Sequence, residues 1–195
     1  MSNVSRRKMI QGFAASALIG TLTAEAAQHV HEAASGDRKL AGGVYKPKGL
    51  SAHEYKTLDA LCEWIMPGAR QAGAAEFIDV LCSGSKEMAA IYTGGLAWMN
   101  AEMRRRVDTD FLTGKAADQT ALLDLIAYRK NESPELNPGI RFFDWARRMT
   151  VDAYFTSKVG IEALGYQGNT GMKEYQVPLE SLNYALKRSP FADKV

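Results

Sequence analysis

Apolar residues return at a helical spacing along most of this chain, beginning at Ser51. Ser51 can cap a helix and Glu54, three residues on, supplies the reciprocal member of a capping box. Tyr55, Leu58, Leu61, Cys62, Ile65 and Met66 then recur on one face until Pro67-Gly68 stops the run. Phe77, Ile78, Leu81 and Cys82 mark a short second helix that Ser83-Gly84 closes. A third begins near Ser85 and carries Met88, Ile91, Tyr92, Leu96, Met99 and Met103, with Gly94-Gly95 marking close packing or a local break. Leu122, Leu125 and Ile126 form the stripe of a fourth. After a polar loop with two prolines, a fifth helix spans 139–157, with Phe142, Trp145, Ala146, Met149 and Ala153 on one face. Phe143, Val151, Tyr154 and Phe155 spread apolar surface around the remaining circumference. So wide an arc belongs either at the centre of a core or at a shared surface.

Residues 27–50 show no sustained period and read as an extended arm or linker. Beyond Leu164 the chain turns glycine-rich, with Gly165, Gly168 and Gly171 among Tyr166, Asn169 and Tyr175, and reads as an irregular tail. No stretch alternates cleanly and no repeat is visible. The fold class is therefore all-α: an irregular bundle of five or six helices over residues 51–195, with an extended N-terminal arm.

The first 26 residues have a different character. Ser5-Arg6-Arg7-Lys8 places a twin arginine in a short polar start, a mildly apolar run follows from Phe13 to Leu22, and Ala24-Glu25-Ala26 supplies small residues where a signal peptidase inspects. The run is about half the length a bilayer span needs. Arg6 and Arg7 thus read as a twin-arginine export signal; ordinary secretion is the alternative. The whole chain has 24 Lys and Arg against 22 Asp and Glu, and loss of Arg6, Arg7, Lys8 and Glu25 would leave 21 of each sign. A neutral mature chain has no electrostatic reason to bind nucleic acid or an anionic membrane. Cys62 and Cys82 lie in no metal or redox spacing, and either pair in an oxidising compartment or remain buried thiols.

Catalytic chemistry is hard to place. The chain has three histidines; His29 and His31 fall in the arm, too few as a pair for a closed metal site, and His53 lies in the first turn of a helix. Glu132 with Glu135, and Asp108 with Asp110, read as solvated turn carboxylates rather than acid-base pairs. Gly165-Tyr166-Gln167-Gly168-Asn169 has no preceding strand, so the dinucleotide reading fails. A c-type haem or an iron-sulfur cluster would need cysteines that are not present. The expectation is no catalytic residue, cofactor or metal in this chain. The twin-arginine route carries folded cargo, so a chain without a cofactor has reason to use it if it folds around a partner that holds one.

Leu58-Asp59-Ala60-Leu61-Cys62-Glu63-Trp64-Ile65-Met66-Pro67, followed by Ala72-Gly73-Ala74-Ala75-Glu76-Phe77-Ile78-Asp79, resembles the opening of the gluconate 2-dehydrogenase subunit 3 family. Phe142-Phe143, Thr150, Tyr154-Phe155-Thr156-Ser157, Gly160 and Leu164-Gly165-Tyr166-Gln167-Gly168-Asn169 resemble its C-terminal half. That resemblance implies a small, non-catalytic subunit of a periplasmic dehydrogenase. It accompanies a large FAD-containing flavoprotein of the glucose-methanol-choline class through the twin-arginine pore and aids its maturation. The large subunit oxidises a sugar, glycoside or sugar acid, and a cytochrome c often accepts the electrons. No transmembrane span and no nucleic-acid contact are expected. Competing readings are a free-standing periplasmic scaffold for another cargo and an enzyme with an unrecognised site. Interfaces concentrate their energy in aromatic and arginine anchors, which makes Arg147, Tyr154, Phe155 and Tyr166 the candidate docking residues; the alternative is that these aromatics complete the core.

Overall fold

A computed structural model describes residues 6–18, 20, 22–166 and 177–189, and these are helical without strands. The helices are α1 (Arg6–Leu18), α2 (Ala24–Leu40), α3 (Ala52–Ile65), α4 (Ala74–Gly84), α5 (Lys86–Val107), α6 (Ala116–Ile126), α7 (Asn137–Phe155), α8 (Lys158–Ala163) and α9 (Leu179–Arg188). Two compact units divide the chain, residues 1–165 and residues 166–195. The first holds α1 to α8 and the second holds α9.

Local signals set the starts of the helices. At α3 both halves of the capping box form: the Glu54 N–H donates to Ser51 Oγ and the Ser51 N–H donates to Glu54 Oε2 at 2.8 Å. Ser85 caps α5 through the Met88 N–H, and Ser157 caps α8 through the Gly160 N–H. After Pro67 the chain reverses through Gly68, whose φ of 89° lies in the left-handed region that glycine adopts without strain. The Glu63 carboxylate holds this turn by accepting the Gly68 and Arg70 N–H groups, each at 2.9 Å. These two bonds favour the ionised form and hold Glu63 below the usual carboxylate range.

Packing centres on α4. Every residue from Ala74 to Cys82 is buried, because α1, α2, α3, α5 and α7 all lie against this helix. Phe77, Ile78 and Leu81 of this helix, and Leu58, Leu61, Tyr92, Leu96 and Met99 around it, are fully enclosed. α5 runs unbroken through Gly94-Gly95, and Gly95 is there for close approach: a Cβ would overlap the Phe142 ring of α7. Gly139 of α7 meets the Trp98 ring in the same way. These two contacts fix how closely α7 lies on α5.

The N-terminal arm differs from its expected form. Residues 24–40 are the helix α2, capped by Thr23, and bury Ala26, Ala27, Val30, Ala33, Ala34 and Asp37 at helical spacing. An alanine stripe carries little hydropathy of its own, but it lets a helix approach α4 closely. The remainder of the arm, 41–50, is irregular and clamped rather than free. Asp79 of α4, wholly buried, accepts the Lys48, Gly49 and Leu50 N–H groups and the Tyr45 hydroxyl at 2.8 to 3.0 Å. The Lys48 ammonium reaches Asp37 of α2 at 2.8 Å. Within the expected irregular tail, α9 is a helix, whereas 167–176 lies outside the described residues.

Candidate docking surface

The long helix α7 has two faces. Ile140, Phe142, Phe143, Ala146, Met149, Thr150 and Ala153 point into the core. On the other side Arg147, Val151, Tyr154 and Phe155 follow at i, i+4, i+7 and i+8, which places them along one arc of the helix surface. Arg147 is exposed, donates to Asp144 Oδ1 at 3.1 Å and lies 6.0 Å from the centre of the Phe143 ring. Its guanidinium is thereby held against the helix rather than free to sweep through water. Tyr154 and Phe155 meet edge to face with ring centres 5.1 Å apart. Phe155 is 36% exposed, a large apolar ring in water that no neighbour covers fully. Tyr154 is half-buried and packs over the backbone of Gly68.

Three of the four candidate docking residues thus share one face of one helix. Tyr166, 61% exposed, lies in the second unit. The core-filling alternative holds in part for Tyr154. Phe155 is the more exposed of the two rings.

Next to the end of α7, a cleft of about 570 Å³ opens between α2, the turn before α4, and α8. His31 lies in its wall, with its ring 4.8 Å from that of Phe77. The Thr156 hydroxyl donates to the Asp152 carbonyl at 2.6 Å, and its oxygen lies 3.1 Å from His31 Nε2. Burial lowers the His31 pKa and outweighs a bond to the Ala153 backbone that favours the charged ring. Arg38 of α2 pairs with Glu76 of α4 in the same cleft, and Lys158 stands 3.8 Å from Glu162 of α8. These charges are therefore matched by protein partners.

The residues weighed for chemistry are spread apart or committed elsewhere. His53 of α3 comes near Asp110, at 3.8 Å, and near the Asn100 side-chain amide at 3.4 Å. Asp110 Oδ1, however, accepts both the hydroxyl and the N–H of Thr113, at 2.7 and 2.8 Å, and these bonds hold its pKa low. The carboxylate is a turn cap, as its sequence setting suggests. The His29 ring donates through Nδ1 to Glu32 Oε2 at 3.3 Å, away from His31's partner Thr156. Among the described residues no group of three or more His, Cys, Asp or Glu is placed to hold a metal ion. Cys62 and Cys82 are separate, buried thiols. Burial pushes Cys62 up to about 12 despite a 3.3 Å bond from the Thr150 hydroxyl, and raises Cys82 further. Neither is poised as a nucleophile. Sequence reasoning missed Asp79 and His31 as organising residues, since their partners lie about 30 and 125 positions away.

The domain is all-helical, and α7 carries an aromatic and arginine stripe on its outer arc. Residues 52–171 match the family described as gluconate 2-dehydrogenase subunit 3, and the chain belongs to that family. Its membership makes it an accessory subunit of a dehydrogenase, associated with a larger subunit. Comparison with curated proteins and with solved structures gave no significant match. Among the described residues no helix is long and apolar enough to cross a membrane.

Proposed function

We propose that this chain is the non-catalytic small subunit of a periplasmic, flavin-dependent sugar, glycoside or sugar-acid dehydrogenase. It supplies the twin-arginine signal for a large subunit of the glucose-methanol-choline class and aids that subunit's maturation. The large subunit carries FAD and passes its electrons to a cytochrome c. The observation that carries this reading is the outer face of α7, where Arg147, Tyr154 and Phe155 are held in place by their own helix, with Arg147 and Phe155 exposed and Tyr154 half-buried, within a matched family domain. Preordered aromatic and arginine side chains lose little freedom on binding, which is what an interface anchor requires. Arg6 and Arg7 at the start of the chain supply the export half of the argument.

The non-catalytic part is tested in the assembled complex. Replacing His53 or Asp110 by Ala leaves turnover within a few-fold, whereas a true acid or base contributes roughly 10² to 10⁴. A thousandfold loss with the complex intact contradicts the assignment.

A further inference from the structure

The segment that the sequence marks for removal is built into the folded domain. α1 lies against α4 and α2, with Ala14 and Ala17 fully buried. Ile10 sits on Gly84 at the end of α4, where a Cβ would stand 2.7 Å from Ile10 Cγ2 and 3.2 Å from its carbonyl carbon. Phe13 stacks parallel on His29 of α2, with ring centres 5.9 Å apart. At the far end of α1, Arg148 of α7 donates to the Ala17 carbonyl at 2.9 Å, satisfying an acceptor that a helix end leaves open. Contacts from three helices therefore fix this segment along its length.

The same arrangement hides the cleavage point. The Ala26 N–H donates to Thr23 Oγ1 at 3.2 Å and the Ala27 N–H to the Thr23 carbonyl at 2.9 Å, so the Ala26-Ala27 bond lies in the first turn of α2. Ala26 is 8% exposed and Ala27 1%. Peptidases take their substrates as extended strands, and exposed, unpaired backbone is where chains are nicked. A buried helical turn is neither.

We infer that α1 is a retained structural helix, and that its seat on α2, α4 and α7 withholds the Ala26-Ala27 bond from signal peptidase. The inference rests on reading residues 1–26 as an export leader. It assigns that leader a second role, as a helix of the domain it exports.

The test is cleavage of the purified full-length chain by detergent-solubilised signal peptidase, which involves no translocation. The wild type resists. Gly84→Val drives a methyl into Ile10, opens the seat, and is cut after Ala26 about tenfold faster, because cleavage follows the population of the opened form. Arg148→Ala removes the carbonyl contact without adding bulk and shifts the rate in the same direction, so the result does not depend on Gly84→Val folding. A wild type cut as fast as both variants overturns the inference, and so do three equally resistant proteins. Whether the Arg6→Lys/Arg7→Lys chain stays in the cytoplasm is scored separately, so failure of the export reading is visible apart from these cleavage rates.

Discussion

The Tyr45 hydroxyl donates to the buried Asp79 carboxylate at 2.8 Å, and through that carboxylate an irregular segment is tied to the central helix. Three backbone N–H groups share the same two oxygens. Asp79→Ala would leave these donors without an acceptor at a site closed to water. Such losses cost about 3 kcal/mol, or roughly 10 °C in Tm for a chain of this size. Thermal unfolding of the isolated chain checks this. A change within 2 °C, on the order of 1 kcal/mol or less, would mean that the clamp contributes little.

His31 predicts how stability depends on pH. Its folded pKa lies below the ordinary 6.5 because burial disfavours the imidazolium. Between that lowered value and 6.5 the unfolded chain binds a proton that the folded chain does not, so stability is complete above 6.5 and declines as pH falls through the window. Glu76 lines the same cleft, and burial raises its carboxyl despite the Arg38 partner, which gives a slope of opposite sign above 4.5. His31→Gln removes the histidine component and leaves Glu76 in place, so Tm followed from pH 7.5 to 5 should change its slope in the direction that histidine loss requires. Identical slopes would refute the assignment.

Phe155→Ala separates docking from core packing. The ring is exposed, so the isolated chain should melt within about 2 °C of the wild type. Affinity for the large subunit should fall about thirtyfold, which corresponds to about 2 kcal/mol. Phe142→Ala, in the core against Tyr92, is the opposite case and should destabilise the chain itself by about 3–5 kcal/mol. Should Phe155→Ala melt early with its affinity unchanged, the docking face lies elsewhere.

Local signals make the bundle legible in the amino-acid sequence. Ser51 and Glu54 form both bonds of the capping box, Pro67-Gly68 ends α3, and the five stripes from Tyr55 to Ala153 correspond to α3 to α7. What escapes the sequence is tertiary. Ala26, Ala27, Val30, Ala33 and Ala34 bury little area each, and their helical spacing acquires meaning only when α4 needs cover on every side. Asp79 carries no local signal of its role, because the donors it accepts come from the loop at 45–50, about 30 positions away. The candidate docking stripe is readable as a shared arc as far as α7 extends, because a fixed helical period places Arg147, Val151, Tyr154 and Phe155 together. Tyr166 lies past the end of that helix, in the second unit, where the helical period no longer carries the argument.

The proposed function requires this chain to attach to a large dehydrogenase subunit and carry it out of the cytoplasm. Its most direct test is the distribution of dehydrogenase activity between periplasm and cytoplasm when the large subunit is co-expressed with the wild-type chain or with Arg6→Lys/Arg7→Lys. Activity should be periplasmic with the wild type, and both chains should be retained in the cytoplasm with the variant. Full periplasmic activity with the variant would contradict it.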